Sequence, residues 1–381
     1  MIPYGRQNIC DADINAVIET LRSDFLTQGP QVPNFESKIA QYCEAKFAVA
    51  TSNATASLHL ACLALGVGKG DIVWTSPISF VASSNCALYC GAEVDFVDVE
   101  INTGLMSVTA LENKLKQAAE EKRLPKVVIP VHLTGQSCDM ARISKLAETF
   151  NFKVIEDASH AIGSAYKSSP VGNCEYSDIC VFSFHPVKII TTGEGGISTT
   201  NSNEIAQKLR QLRSHGVVRD PLALSSEEEG AWYYEQHELG FNFRLTDLQA
   251  ALGASQLTRL DEFVSKRNLL ASRYHELLSE LPLSPLEIQE DNYSSYHLFI
   301  IRLNNRSIRR KTFDTLKANG VGVNVHYIPI YWQPFYREKG FSKGYCPNAE
   351  SFYNSIITLP LFPDLTVQEQ DQVVKLLRNC L

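Results

Sequence analysis

Short apolar runs alternate with longer stretches in which apolar residues recur at helical spacing. The runs that predict strands are FAVAT from Phe47, DIVWTS from Asp71, EVDFVDV from Glu93, KVVIPVH from Lys126, FKVIEDA from Phe152, DICVFSF from Asp178 and GGISTT from Gly195. Several are apolar throughout, which is typical of strands covered on both faces. Helical patterns such as TASLHLACLALGV and ARISKLAETFN lie between them. The first part of the chain therefore predicts βαβ units and a mainly parallel α/β sheet flanked by helices.

The pattern changes after about Arg244. The stretch TDLQAALGASQLTRLDEFVSKRNLLASRYHELLSEL predicts one long amphipathic helix, followed by the strand-like runs YHLFIIRL and VGVNVHYIP and a terminal helix, VQEQDQVVKLLRN. We therefore predict a large domain over residues 1–245 and a small α+β domain over residues 246–381, entered by the long helix. The polar, turn-rich segment DPLALSSEEEGAWYYEQ from Asp220 is predicted to be a mobile loop.

Charge and cysteine spacing exclude several classes of protein. The net charge of −7 leaves no basic surplus for a phosphate backbone, so nucleic acid is not an expected partner. The longest apolar runs fall far short of the ~20 residues that span a bilayer, and the N-terminus lacks the order of a signal peptide, so we expect a cytoplasmic protein without membrane contact. The ten cysteines contain no C-x-x-C pair, which favours reduced thiols and no metal site.

Ionisable side chains follow two predicted strands at their carboxyl ends, where open α/β sheets bind ligands. Lys188 follows the strand from Asp178 in an apolar, glycine-rich setting, where a lysine amine can lose its proton and form a Schiff base. Asp157 ends the strand from Phe152, and its carboxylate can keep a pyridine nitrogen protonated, while His160 can stack on or hydrogen-bond a ring. Singly, the three also fit a surface lysine, a helix N-cap and a structural histidine.

A phosphate site is predicted in the segment TSNATASLHLA, where a strand ends at Thr51 and a helix begins near Ala54. Free backbone N–H groups and the helix dipole favour an anion there, and the Ser183 hydroxyl can add a donor. Helix capping by Ser52 or Asn53 is the simpler explanation of these polar residues. Jointly, an imine-forming lysine, a carboxylate for a ring nitrogen and a phosphate site at one sheet edge favour pyridoxal 5′-phosphate (PLP) as the cofactor.

At these residues the sequence resembles the DegT/DnrJ/EryC1/StrS family of sugar aminotransferases, which have fold type I of the PLP enzymes. The likeness covers essentially the whole chain. The blocks that carry it are DFLTQGPQVPNFE, TSNATASLHLA, SPISFVAS, EDASHAIGS, FSFHPVKIITTGEGG, LRSHG, GFNFRLTDLQAALGASQL and VHYIPIY. The resemblance implies a PLP-dependent aminotransferase with a large and a small domain, acting as a homodimer with shared active sites.

The resemblance also assigns roles to residues at matching positions. It implies that Lys188 holds PLP as a Schiff base and moves protons during catalysis, and that Asp157 pairs with the pyridine nitrogen. The other expected cofactor contacts are His160, Phe80, Ala54, Thr55 and Ser183, with Phe80 stacked on the ring. Asn242 is expected to reach the phosphate bound by the neighbouring subunit. Arg244 either binds the glutamate carboxylate or pairs locally, and the sequence does not choose between these roles.

The expected substrate contacts lie on segments that border the site in relatives: Tyr4, Thr27, Gln28, Gly29, His215 and His326. Blocks such as PISFVA, SHAIGS and VHYIPIYWQ are most similar to the members that act in pseudaminic acid biosynthesis. The expected reaction transfers the amino group of L-glutamate to C4 of a UDP-linked 4-keto-6-deoxy sugar, UDP-2-acetamido-2,6-dideoxy-β-L-arabino-hexos-4-ulose. The alternatives are amination of another nucleotide-linked 3- or 4-keto deoxysugar, or sugar dehydration. Dehydrating members carry histidine in place of Lys188, so lysine favours amination.

Overall fold

A computed structural model describes residues 1–225 and 230–381. Its first nine strands are β1 (Phe47–Thr51), β2 (Ile72–Thr75), β3 (Glu93–Phe96), β4 (Val127–Ile129), β5 (Lys153–Asp157), β6 (Ala165–Tyr166), β7 (Ser169–Pro170), β8 (Ile179–Ser183) and β9 (Gly196–Thr200). All except β6 and β7 form one sheet, in the order β1-β9-β8-β5-β4-β2-β3. β9 is antiparallel to both of its neighbours, and the other six strands share one direction. The predicted mainly parallel sheet is confirmed.

Helices cover both faces of this sheet. They are α1 (Asp11–Leu21), α2 (Gln31–Tyr42), α3 (Ala54–Ala64), α4 (Ala82–Tyr89), α5 (Val108–Glu120), α6 (Met140–Phe150) and α7 (Asn203–Arg213). Because β2, β4, β5 and β8 are covered on both sides, almost every residue in them is buried, which explains why their sequences are apolar runs rather than alternating ones. The helix α3 is itself buried along most of its length, between the sheet and α4.

The long helix predicted from Thr246 is instead two helices, α8 (Asp247–Leu257) and α9 (Leu260–Leu278). The break is at Arg259, whose backbone leaves the helical region with φ −111° and ψ 7°. Its guanidinium binds Asp13 on α1 at 2.5 Å and Asn8 at 2.6 Å. These contacts with the N-terminal part of the chain hold Arg259 in a position that a continuous helix would not give it. The helical spacing of apolar residues in the sequence does not indicate such contacts.

The C-terminal part forms a second, smaller layer of sheet and helices. The elements after α9 are β12 (Leu283–Pro285), β13 (Asn292–Tyr293), β14 (Phe299–Leu303), α10 (Arg309–Ala318), α11 (Pro334–Arg337), α12 (Pro347–Ser355), β15 (Ile356–Leu359) and α13 (Val367–Arg378). Of these, β13 pairs with β6 in a small sheet with β7. The short pair β10 (Val217–Val218) and β11 (Glu235–Gln236) precedes α8. The sheet β12-β14-β15 packs with α9, α10 and α13 around its own apolar cluster, which also takes in Ile2. The division of the chain at residue 245 stays a prediction; α8, just beyond it, packs on α1 and α2.

Residues 226–229 of the predicted loop from Asp220 lie outside the described residues, and the flanking β10 and β11 pair antiparallel. None of the helices described in residues 1–225 and 230–381 has the length and apolar character needed to cross a lipid bilayer.

Candidate active site

A cavity of about 700 Å³ opens at the carboxyl ends of β5 and β8. Nine of the residues predicted from the sequence line it: Tyr4, Ala54, Thr55, Phe80, Asp157, His160, Ser183, Lys188 and His326. They come from the N-terminus, the start of α3, the turn before α4, the segments that end β5 and β8, and the C-terminal layer. The sheet edge thus gathers side chains that are far apart in the sequence, as the strand order of an open α/β sheet predicts.

Asp157, the last residue of β5, is a buried carboxylate with polar partners on both oxygens. Its Oδ2 accepts a hydrogen bond from Ser83 Oγ at 2.5 Å, and its Oδ1 accepts one from Ser159 Oγ at 2.6 Å. The side chain is 4% exposed. A buried carboxylate costs free energy unless it is hydrogen-bonded. The two serine hydroxyls and the Ser159 N–H, which donates to Oδ1 at 3.2 Å, meet that need and leave a lone pair on Oδ2 for a further donor.

Lys188 lies in the turn between β8 and β9, on the same cavity as Asp157. Burial removes water from its ammonium group and lowers the pKa to about 8, although the negative charge of Asp157 acts in the opposite direction. An ordinary lysine has a pKa near 10.4. The Lys188 amine is therefore neutral in a substantial fraction of molecules at mildly alkaline pH, as a Schiff-base nucleophile must be.

His160 is held in one tautomer. Its Nδ1 accepts the backbone N–H of Thr134 at 3.3 Å, so its ring proton is on Nε2, which lies 3.3 Å from the Tyr327 hydroxyl. Burial, the Lys188 charge and His326 together lower the pKa of His160 well below its usual value. The ring is therefore neutral at physiological pH. The His297 ring lies beside the His160 ring, with ring centroids 4.5 Å apart.

The first turn of α3 faces the cavity beside Ser183. Asn53 caps this helix by accepting the Ala56 N–H at 2.8 Å, as the capping alternative expected. The N–H groups of Ala54 and Thr55, earlier in the same turn, have no intrahelical acceptor and remain available to an anion. The turn approaches β9 so closely that a Cβ at Gly196 would lie 2.5 Å from the Ala54 nitrogen. Capping and anion binding are therefore compatible, because they use different N–H groups.

The N-terminal segment and the C-terminal layer form two sides of the cavity. The Tyr4 and His326 rings lie 5.5 Å apart. The Tyr4 carbonyl accepts the Leu361 N–H at 3.0 Å, and Ile2 pairs with Val321, so the N-terminal residues are anchored to the C-terminal layer. Phe80 projects at the rim with 61% of its surface exposed, where a planar ligand can stack on it.

The other six predicted residues do not line this cavity. They are Thr27, Gln28, Gly29, His215, Asn242 and Arg244. Two pairs of neighbouring segments carry them: Thr27 bridges Thr246, and Ser214 bridges Asn242. Thr27, Gln28, His215 and Asn242 are all exposed. Their roles toward a substrate or a neighbouring subunit stay predictions.

Several residues that line the cavity or support it were not predicted from the sequence. Ser83 and Ser159 support Asp157, Tyr327 meets His160, and Glu194 also lines the cavity. Ser83 lies in the block SPISFVAS, close to the predicted Phe80. Tyr327 lies in the block VHYIPIY, next to the predicted His326. Only the folded chain shows that they reach the groups at the ends of β5 and β8.

Several proteins that are similar to this chain in sequence or in fold are named as aminotransferases. The chain is 38% identical to the UDP-4-amino-4,6-dideoxy-N-acetyl-beta-L-altrosamine transaminase of Campylobacter jejuni, over 97% of this chain and 94% of that protein. Among solved structures, Helicobacter pylori PseC, an aminotransferase involved in the biosynthesis of pseudoaminic acid, matches with a TM-score of 0.90 at 29% identity, covering 100% of this chain and 98% of PseC. Spr1654 from Streptococcus pneumoniae, assigned as a sugar aminotransferase and solved in its PMP form, matches with a TM-score of 0.91 at 31% identity over 100% of this chain and 99% of that one.

A family model gives the same result over nearly the full length of the sequence. The model of the DegT/DnrJ/EryC1/StrS aminotransferase family matches residues 7–378. That range includes all the cavity residues discussed above except Tyr4. The chain belongs to the DegT/DnrJ/EryC1/StrS aminotransferase family.

Proposed function

We propose that this enzyme transfers the amino group of L-glutamate to C4 of a UDP-linked 4-keto-6-deoxy sugar, UDP-2-acetamido-2,6-dideoxy-β-L-arabino-hexos-4-ulose. The main structural support for an amino-group transfer is that the Lys188 amine and the Asp157 carboxylate line one cavity beside the start of α3. The similarity to the Campylobacter jejuni transaminase and to PseC supports the choice of sugar.

The cofactor of this enzyme is PLP, and the groups present in the cavity fit it. Lys188 offers an amine of lowered pKa, Asp157 offers a carboxylate for a protonated ring nitrogen, and α3 offers N–H groups for a phosphate. Ser183, at 8% exposure, places a hydroxyl beside that helix start. When bound, PLP supplies an electron sink that stabilises negative charge on the carbon that loses its proton.

The residues of the chain supply orientation and proton transfer. The Lys188 nitrogen can take a proton from Cα of the amino donor and, in the second half of the reaction, deliver one to C4 of the sugar. Asp157, fixed by two serine hydroxyls, would pair its carboxylate with the ring nitrogen of the cofactor. His160 is neutral, so it adds no positive charge next to Lys188 and can donate its Nε2 proton. Tyr4 and His326 border the space in which we place the sugar.

Nitrogen transfer tests this function directly. The enzyme is incubated with ¹⁵N-labelled L-glutamate and a panel of UDP- and dTDP-linked 4-keto-6-deoxy sugars, and products are read by mass spectrometry and NMR. We expect ¹⁵N at C4 of the UDP-linked sugar, and a loss of at least about a hundredfold in rate for Lys188→Ala. Lys145→Ala, at a lysine whose side chain is 77% exposed, is the control and should keep full activity. Loss of water from the sugar without nitrogen incorporation would support a dehydratase instead.

A further inference from the structure

A row of four rings lines the cavity that contains Lys188. The ring centroids of Tyr4 and His326 are 5.5 Å apart, and those of His326 and Tyr327 are 4.8 Å apart. The next distance, between the Tyr327 and His160 rings, is 6.1 Å. Tyr327 therefore lies between the two rings that border the proposed sugar space and His160, which is expected to contact the cofactor.

The hydrogen bond between His160 and Tyr327 has a defined direction. His160 Nδ1 accepts the Thr134 N–H at 3.3 Å, and the ring is neutral, so its single proton is on Nε2. Since Nε2 lies 3.3 Å from the Tyr327 hydroxyl oxygen, it donates to that oxygen. The hydrogen atom of the Tyr327 hydroxyl is not used in this contact. Within residues 1–225 and 230–381 it has no other acceptor, so it is available to a molecule in the cavity.

The neighbouring residue, His326, has no ring nitrogen left for a ligand. Its Nδ1 lies 2.8 Å from Thr358 Oγ1, and its Nε2 lies 3.3 Å from Asn324 Nδ2. Because an amide nitrogen can only donate, Nε2 accepts and the ring proton is on Nδ1. Burial and the Lys188 charge lower the pKa of His326 to about 3, so the ring stays neutral. Of these two adjacent side chains, only that of Tyr327 can donate a hydrogen bond to a ligand.

The segment that carries Tyr327 is fixed on both sides, so the hydroxyl is held in place. Asn324 and Thr358 exchange backbone hydrogen bonds of 2.8 and 3.3 Å, and the Ile330 N–H donates to the Pro77 carbonyl at 2.9 Å. Burial, the largest effect, raises the pKa of Tyr327 above its ordinary value. The hydroxyl therefore keeps its proton at neutral and mildly alkaline pH and acts as a hydrogen-bond donor.

Amination of a ketone places negative charge on the carbonyl oxygen. As nitrogen adds to C4, a C–N bond forms, the C–O double bond opens and its electron pair moves to the oxygen. The oxygen then leaves as water with two protons that came from the nitrogen, and a C=N bond remains. A donor fixed at this oxygen stabilises the charge that develops there.

We propose that Tyr327 is a catalytic residue whose hydroxyl donates a hydrogen bond to the C4 carbonyl oxygen of the keto sugar. His160 is the positioning residue that orients this hydroxyl by donating to its oxygen. The inference rests on the proposed function, because it needs a keto sugar as the amino acceptor. It separates two tasks in the cavity: Lys188 moves protons at carbon, and Tyr327 stabilises charge at oxygen.

Tyr327→Phe removes only the hydroxyl and tests this role in the full-length, cofactor-loaded enzyme. The two half-reactions, with L-glutamate and then with the UDP-linked 4-keto sugar, are followed separately by the absorbance of the bound cofactor. We expect the glutamate half-reaction to change by less than about twofold and the sugar half-reaction to slow about a hundredfold, with little change in the half-saturating sugar concentration. Tyr353→Phe, on α12, is the control and should leave both half-reactions unchanged.

Infrared spectroscopy gives a second measurement that does not depend on turnover. Lys188→Ala is mixed with the sugar labelled with ¹³C at C4, and the carbonyl stretch is compared with that in Lys188→Ala combined with Tyr327→Phe. A hydrogen bond from Tyr327 should give the lower wavenumber, and equal wavenumbers would overturn the proposal.

The kinetic outcomes separate this inference from the proposed function. Equal sugar half-reactions in the wild type and Tyr327→Phe would overturn the role of Tyr327 while leaving the function intact. A slowing of both half-reactions to the same extent, or a changed absorption spectrum of the bound cofactor, would assign the hydroxyl to the cofactor and also overturn it. A wild-type enzyme that aminates no UDP-linked 4-keto sugar would overturn both.

Discussion

The protonation of Lys188 is set by two opposing effects, loss of water and the negative charge of Asp157. Burial is the larger of the two, so the pKa falls to about 8. Because the pKa is lowered, the ammonium form persists below about pH 8 and the nucleophilic amine dominates above it. Asp157, for which we propose pairing with a ring nitrogen, thus also limits how far the pKa of Lys188 falls.

This balance predicts the pH at which Lys188 becomes reactive in the cofactor-free enzyme. Competitive labelling with acetic anhydride, followed by peptide mass spectrometry, should show half-maximal labelling of Lys188 near pH 8. Asp157→Asn removes the charge that favours the ammonium form, so the midpoint should move to lower pH. The peptide with exposed Lys145 provides the reference in each digest. A midpoint near 10.4, or an upward shift in Asp157→Asn, would contradict this account.

Among single residues, those at the carboxyl ends of predicted strands could be predicted to lie in the site. Asp157, Ser183 and Lys188 end strands or follow them closely, and the carboxyl ends of parallel strands meet at one sheet edge. Tyr327 and Ser83 lie outside that pattern. The first reaches His160 from the C-terminal layer, and the second reaches Asp157 from α4. Their positions depend on how distant layers pack, which no local sequence pattern encodes.

Among the elements, α8 ties the N-terminal helices to the rest of the molecule. Its first residue, Asp247, accepts the N–H groups of Gly29 and Val32 at 2.5 and 2.9 Å. Beyond its last turn, Arg259 binds the fully buried Asp13. Burial alone would raise the pKa of Asp13, but hydrogen bonds from Ser255, the Cys10 N–H and Gln256, together with the Arg259 charge, lower it.

Removing the Asp13 carboxylate should destabilise the fold. Asp13→Ala leaves the Arg259 guanidinium without its buried partner and should cost about 3–5 kcal/mol of unfolding free energy, measured by urea denaturation. Since the pKa of Asp13 is lowered on folding, its contribution should be present at neutral pH and be lost as the pH falls below about 3.8. Asp11→Ala, at the exposed acidic residue of the same helix turn, is the control and should change stability by less than about 1 kcal/mol. Equal effects of the two substitutions would rule out this role.

Element types were more predictable than element directions and ends. All seven strands of the main sheet were predicted, because buried strands leave apolar runs in the sequence. The antiparallel direction of β9 was not predicted. Parallel strands need a crossover, usually a helix, whereas the segment between β8 and β9 has no helix and forms turns around Lys188. The break between α8 and α9 was missed because tertiary contacts of Arg259 fix it.

For the whole molecule, Asn242 is the residue expected to meet a second subunit, and it is exposed, as are Thr27, Gln28 and His215, which are expected to contact the substrate. In one chain these residues lie outside the cavity. Asn242 can serve as predicted only if it completes the cavity of a partner, since a C2 dimer repeats each such contact twice. The prediction of a dimer and the prediction that Asn242 completes the partner's cavity can therefore be tested by the same experiment.

Co-expression of two inactive variants provides that test. Lys188→Ala lacks the reactive amine, and Asn242→Asp places a negative charge where we expect the cofactor phosphate. A mixed dimer keeps one site with both native residues, so random pairing should restore about a quarter of wild-type activity. Mixing two differently tagged Lys188→Ala chains is the control and should restore none. If Asn242 acts within its own chain, the mixed dimers should also stay inactive.

The anchoring of Ile2 to Val321 and of Tyr4 to Leu361 has a consequence for the synthesis of the chain. The ribosome makes the Tyr4 wall of the cavity almost first, but the strands and turns that hold it are made almost last. A nascent chain that has passed β9 already contains Lys188 and Asp157, yet has nothing on which to fix Tyr4 and has not made His326. The side of the cavity formed by Tyr4 and His326, where we propose that the sugar binds, therefore closes only when synthesis is nearly complete.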